Sequence, residues 1–324
     1  MNTKIGKHSR IKLFESTASI TLTATIVLLL FTWLFNKSVF SSYNISTMMR
    51  TLSFTAFVGF GQTLCLINGD INLASGATAC LSAIVSAMLI TAFPGVSPFI
   101  WLLVGVLFGA LCGGFEATII TIFNIPPFIV CLAASTIFEG LVYVLTGGMA
   151  IINLPKSINW LGAGRVLNFF PVPFVLMFVC AVVLTLILKF TVFGRRLFAI
   201  GGNRVASALV GINVSLYRVF VYMLSGALCA IGGMLYMCRL CTAQPTVGLN
   251  WSLPALTAAV LGGTSMSGGK GTIFGTIIGI TLTTALSNAI VLLGISAYYE
   301  NVVTGAIVIV AVLIDSIKTM ASNR

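Results

Sequence analysis

Long apolar runs separated by short polar gaps fill most of the chain. The hydrocarbon core of a bilayer is about 30 Å thick, and a helix needs about 20 mostly apolar residues to cross it. On that measure the pattern predicts ten spans, at 18–36, 48–67, 73–93, 98–122, 127–146, 171–190, 218–238, 252–263, 271–293 and 298–316. The eighth is short, and both it and the third adjoin polar, Gly-rich stretches. Lipid cannot satisfy exposed backbone amides, and the runs lack the polar alternation of a membrane barrel, so the spans are expected to be helices. The expected fold is an all-α polytopic membrane protein forming one transmembrane domain over 1–324.

Composition agrees with the pattern. The chain is 58% hydrophobic and 7% charged, with a mean hydropathy of +1.11, far from the usual balance of a soluble domain. Its net charge of +11 does not indicate a nucleic-acid partner, because the cations lie in the gaps between apolar runs. There they report orientation. With the amino terminus inside, only Lys37, Arg50, Lys156, Arg165 and Arg239 of the 17 Lys and Arg residues fall outside. Both termini are therefore expected in the cytoplasm. The basic opening "MNTKIGKHSRIKLFES" is not followed by a small-residue cleavage site, so residues 1–17 read as a cytoplasmic tail before a retained first helix. The single histidine, His8, lies in this tail and is expected to be solvated.

Catalytic chemistry is hard to place. "GGTSMSGGKG" at 262–271 lacks the first glycine and the final Ser or Thr of a phosphate loop, and "GFGQTL" at 59–64 lacks the third glycine of a dinucleotide site. Cys238 and Cys241 form a lone C-x-x-C without a second pair, and read as packed thiols. No metal site is expected. Glu116 and Glu139 fall within or near spans, and Asp70 lies in the break "INGDINLASG". A proton relay through such groups is the sharp reading. The plainer one places Glu116 and Asp70 near the inner boundary, within reach of water or headgroups. Two glycine series spaced by four, Gly105–Gly109–Gly113 and Gly271–Gly275–Gly279, are expected to let neighbouring helices approach closely.

The breaks at 68–76 and 241–250 fall on opposite faces in the span count, each after the first span of a four-span block. That placement suits an inverted repeat, and broken helices are where transporters build pathways. Asn68, Asp70, Asn72 and Gln244 are the candidate pathway residues. The longest outer loop, 146–173, carries Trp160, Phe169 and Phe170, which suit a membrane interface or a docking surface.

The longest inner loop, 191–217, holds "GRRLFAIGGNRVASALVGINV". Within it Asn203 is expected to cap a short helix that Gly211 ends. Ala206, Leu209 and Val210 would form the helix's apolar side, which asks for a partner groove. Here the residues resemble the coupling segment of ABC importer permeases. Val205-Ala206-Ser207 stands for that family's E-A-A, Gly211 for its glycine and Val221 for its final aliphatic residue; the acidic residue is missing. Together with "IPPFIVCLAASTIFEGLVYVLTGG", "AQPTVG" and "AAVLGGTSMSGGKGTIFGTIIG", the stretch is similar to the permeases of ribose, xylose, arabinose and galactose importers. One departure is Asp70, two places ahead of the acidic residue in that family's G-G-I-D-L-S-V-G.

The resemblance implies a sugar-importer permease in the bacterial inner membrane. It would pair with a second permease copy or a paralogue, with cytoplasmic ATPase subunits that use ATP and Mg, and with a periplasmic or extracellular binding protein. The chain itself would bind no cofactor, and lipid would surround it. Arg195, Arg196, Asn203, Arg204, Ala206 and Gly211 would form the ATPase-coupling surface. The alternatives are an importer permease for branched-chain amino acids, nucleosides or a furanone-like signal, an ion-coupled secondary transporter, and a membrane enzyme.

Overall fold

A computed structural model describes residues 8–166 and 169–296, and beyond them positions 299, 302, 303, 305, 306 and 309. The first nine expected spans each hold a helix, while the tenth, 298–316, lies largely outside the described residues. The long helices are α1 (His8–Phe35), α2 (Ser42–Ile67), α3 (Ser75–Ala92), α4 (Pro98–Ile122) and α5 (Pro127–Thr146). A short α6 (Asn159–Ala163) and a two-strand hairpin, β1 (Arg165–Val166) and β2 (Phe170–Pro171), follow in the long loop. Then come α7 (Val172–Phe190), α8 (Val192–Gly202), α9 (Arg204–Leu209), α10 (Val214–Leu240), α11 (Ser252–Leu261) and α12 (Ile273–Leu292).

Seven of these helices are long and apolar enough to cross a membrane. The differences from the expected ten have physical reasons. Helix α2 is long enough but carries Arg50, Gln62 and many hydroxyl side chains. It can do so because it faces protein, with most of its length buried. Helix α11 has 10 residues, about 15 Å at 1.5 Å per residue, which is half a hydrocarbon core. The stretch before it, 241–251, contains a single bridge, Ala243 to Ile151, and a short 3-10 turn, Leu249–Trp251. Irregular backbone at this depth is tolerated where protein encloses it. Helix α1 also reaches back to His8, so part of the expected tail is helical.

Helices α2 and α10 form the centre, and α10 packs against α2, α3 and α4. Outward on α1, α4, α5 and α7 lie exposed apolar side chains such as Leu34, Leu111, Val144 and Phe190, the surface that lipid covers. Between helices, where burial in lipid supplies no drive, packing and polar pairs hold the bundle. Asn44 and Asn288 exchange side-chain amide bonds of 3.0 and 2.8 Å between α2 and α12.

The first glycine series sits against α3 and α10. A Cβ on Gly113 would lie 2.0 Å from the Tyr222 carbonyl oxygen, and one on Gly109 would lie 2.6 Å from that of Gly226. In the second series Gly275 and Gly279 face the backbones of Gly262 and Ala258, whereas Gly271 precedes α12 and sits against Thr264 and Ile67. Gly113→Ala is therefore expected to cost about 1–3 kcal/mol through overpacking. Gly140→Ala, where a Cβ meets nothing within 4 Å, should be neutral or slightly stabilising. Melting of the two variants in detergent checks the contrast, and equal shifts would contradict the close approach.

Candidate functional site: a charged node under a protruding loop

The site begins where α2 ends. Gly69 adopts φ +80°, and the turn closes with Gly69 N–H donating to Leu66 O at 2.8 Å and Asp70 N–H to Cys65 O at 2.9 Å. This is the glycine-dependent helix ending that satisfies the last carbonyls, and it turns Asp70 back into the protein. The Asp70 side chain is fully enclosed. Its Oδ1 accepts from Arg204 Nη2 at 2.5 Å, and its Oδ2 accepts from Arg218 Nε at 3.1 Å. Asn68 Nδ2 donates to the same Oδ2 at 2.7 Å, and Arg204 Nη2 also donates to Asn68 O at 2.9 Å. These are the two ion pairs among the described residues. They join the α2–α3 break to α9 and to the start of α10.

Backbones complete the node. A Cβ on Gly201 would lie 1.8 Å from Ile67 O and 2.4 Å from Gly269 N, while one on Gly268 would lie 2.9 Å from the Gly69 Cα. Gly269 N–H donates to Ile67 O at 2.9 Å. Three chain segments, 67–70, 201–202 and 268–269, thus meet without side chains between them.

Above the node the loop 191–217 is ordered by its own sequence. It holds two helices, not the single one expected. Thr191 accepts from Gly194 N–H to start α8, Asn203 from Ala206 N–H to start α9, and Asn213 from Leu216 N–H to start α10. Helix α8 buries Gly194, Leu197 and Ile200. Arg196 donates to Tyr217 Oη at 3.2 Å, and Tyr217 stacks on Phe193. Helix α9 ends at Gly211, φ +84°, with Ile212 N–H donating to Ser207 O. Of its side chains only Ser207 is buried. Val205, Leu209 and Val210 are 72, 83 and 76% exposed, a protruding apolar tip on a segment too short to span a membrane.

The expected residues are distributed unevenly. Arg195 and Arg196 are exposed, but Arg204 turns inward to Asp70. Asn68, Asp70 and Asn72 are buried, and Asn72 Oδ1 accepts from Ala74 N–H at the start of α3. Gln244 is exposed, beyond the far end of α10, so the four candidate pathway residues do not form one group. Glu116 and Asp70 are enclosed by protein rather than reached by water. Glu116 Oε2 accepts from the Cys131 thiol at 3.7 Å, between α4 and α5. Cys238 and Cys241 are free thiols, and the described residues contain no cluster suited to a metal.

The two breaks, which begin at opposite ends of α10, approach each other inside the protein, where a Cβ on Gly76 would lie 2.4 Å from Gly248 O. Ser75 Oγ donates to Ser252 Oγ at 3.1 Å, and Ser252 Oγ accepts from Gly76 N–H at 2.8 Å. The starts of α3 and α11 therefore touch. Ser252→Ala would leave the buried Gly76 N–H unpaired, at a cost of about 1–3 kcal/mol, read as a lower melting temperature; an unchanged one would show that this bond is dispensable. The sequence reading missed Arg218, α8 and this serine pair. One available signal was the glycine doublets at 201–202 and 268–269.

The bundle of long apolar helices defines a multi-pass helical membrane protein. Residues 44–312 match the family described as branched-chain amino acid transport system / permease component, and the chain belongs to that family. It is 38% identical over 296 residues to the ribose import permease protein of Bacillus subtilis, covering 90% of this chain and 91% of the relative. It is 32% identical over 301 residues to the ribose import permease protein of Escherichia coli K12, covering 92 and 93%. The D-allose transport system permease protein of the same organism is 30% identical over 273 residues, covering 84 and 83%. No solved structure matches the chain.

Proposed function

We propose that this chain is the membrane subunit of an ATP-driven importer that moves a small sugar of the ribose class into the cell. The observation that carries this reading is similarity to ribose import permeases over about nine tenths of both chains. The family's description mentions branched-chain amino acids, but the sugar relatives favour the sugar.

Charge placement supports a cytoplasmic position for both termini and for α9. The protruding tip of α9 then meets a soluble ATPase subunit, which supplies ATP and Mg chemistry outside this chain. Arg195 and Arg196 flank that contact and suit acidic partner side chains. Asp70, Arg204 and Arg218 link the loop to the α2–α3 break, so a displacement of α9 pulls on the bundle. A second permease copy or a paralogue completes the pathway, and a soluble binding protein delivers the sugar to the opposite face.

The test is uptake of radiolabelled ribose into liposomes holding this chain, its ATPase and its binding protein. Uptake should require ATP and be competed by allose. Uptake driven by an ion gradient without ATP would overturn the importer reading.

A further inference from the structure

We propose that Glu139, on α5, and Gln244, in the break before α11, form a subsite that hydrogen-bonds the hydroxyl groups of a neutral sugar inside the transport pathway. The proposal deepens the importer reading above and rests on it.

Helix α5 has three faces. Val130, Ala134, Phe138 and Val142 are buried in the bundle. Ile137, Leu141 and Val144 are exposed and apolar, a face that suits lipid. Between these two lies a third, made of Ser135, Glu139, Tyr143 and Thr146, whose spacings of four, four and three a helix brings to one side. All four are at least partly exposed. Glu139 stands seven residues before the helix ends at Thr146, about 10 Å in at 1.5 Å per residue. An ionisable side chain within a span faces the bundle interior or a water-filled cavity, not hydrocarbon. The Glu139 carboxylate has no ion pair or hydrogen bond among the described residues, where both ion pairs belong to Asp70.

The outer break arrives at the same place. Cys80 of α3 feels the Glu139 charge. Its thiol donates to Pro245 O at 3.4 Å, and Gln244 O lies 3.8 Å away. Ile151, five residues beyond α5, exchanges backbone hydrogen bonds of 2.9 Å in both directions with Ala243. Cys80 is 12 residues from the end of α3 at Ala92, about 18 Å along the helix, so the break reaches well into the bundle. Gln244 and Thr246 are nevertheless exposed. Irregular backbone at such depth is tolerated only where protein covers it or water fills the space beside it, and broken helices are where transporters bind cargo. An uncovered polar helix face and an exposed break thus converge on one aqueous space.

The donor set points to sugar hydroxyls. An ionised carboxylate accepts hydrogen bonds, and a carboxamide both donates and accepts. Together they match a ring whose hydroxyl groups each do both. A lone carboxylate is a poor cage for a hard cation, which takes six or more oxygen ligands, and the described residues hold no cluster suited to a metal. The negative charge also disfavours acidic or phosphorylated sugars.

The test uses the complete permease–ATPase complex with the binding protein encoded alongside this chain. In neutral-lipid liposomes with saturating ribose-loaded binding protein, Glu139→Leu should lower the ribose taken up per ATP hydrolysed about tenfold, the loss of one hydrogen bond to a charged group. Gln244→Ala should lower the same ratio. Glu139→Gln keeps an acceptor oxygen and should lower it less than Glu139→Leu does. In nanodiscs, Glu139→Cys should react with a charged, membrane-impermeant thiosulfonate much faster than Ile137→Cys, with modification read at each peptide by mass spectrometry. Equally slow labelling would place the polar face out of water and overturn the proposal. A Glu139→Leu variant whose uptake and ATP turnover keep the wild-type ratio would overturn it as well, while the importer reading stands. If wild type takes up no ribose with ATP, the importer reading falls, and the subsite with it.

Discussion

Replacing Asp70 by Asn lowers the stability of the detergent-solubilised protein by about 3–5 kcal/mol, the usual cost of removing one partner from a buried ion pair. The reason is Arg218, whose side chain is only 11% exposed and whose charge would be left uncompensated. Arg204, at 35% exposed, can recover some hydration and contributes less. Adding Arg218→Met to Asp70→Asn should recover most of the loss, because it removes the stranded charge. Denaturant or thermal unfolding of the single and double variants measures both effects. A single variant that melts with wild type would show that the node contributes little. Because the carboxylate is enclosed, raising the salt concentration should change the wild-type value only slightly.

Val205→Asp/Leu209→Asp is expected to leave stability unchanged and to weaken association with the proposed ATPase partner strongly. Both side chains are exposed, so the folded chain loses little when they change. In a partner groove each would contribute roughly 1.5–3 kcal/mol by burial, and a buried unpaired carboxylate adds a further cost. Together they should weaken binding about 100-fold or more. Co-purification and melting, measured on the same preparation, separate docking from folding. An ATPase that remains bound to the folded double variant would remove α9 from the interface. Loss of binding together with a large drop in melting temperature would mean that α9 serves the fold.

Much of this architecture was legible along the chain because its causes are local. Apolar runs long enough for a bilayer marked the helices, and Asn203 and Gly211 marked the ends of α9 through the donors and backbone angles those positions need. Other features have causes that are not local. Helix α2 is more polar than a lipid-facing span because protein covers it. The eighth span is half a helix because enclosed irregular backbone precedes it, and enclosure is not a local property. Arg204 looked like a surface charge for a partner, since nothing near it in sequence announces Asp70, 134 residues away.

The sequence by itself determined the class of protein, the position of most helices, the sidedness expected from the cations and the protruding helix α9. These follow from transfer free energies and backbone capping, which act over one or two turns. Only the tertiary structure decided which polar groups meet. Asp70 finds Arg204 and Arg218, Ser75 finds Ser252 177 residues away, and Cys80 finds the carbonyls of Gln244 and Pro245. Those meetings depend on how helices cross and how closely their glycines let them approach, and no periodicity along one helix encodes its neighbour.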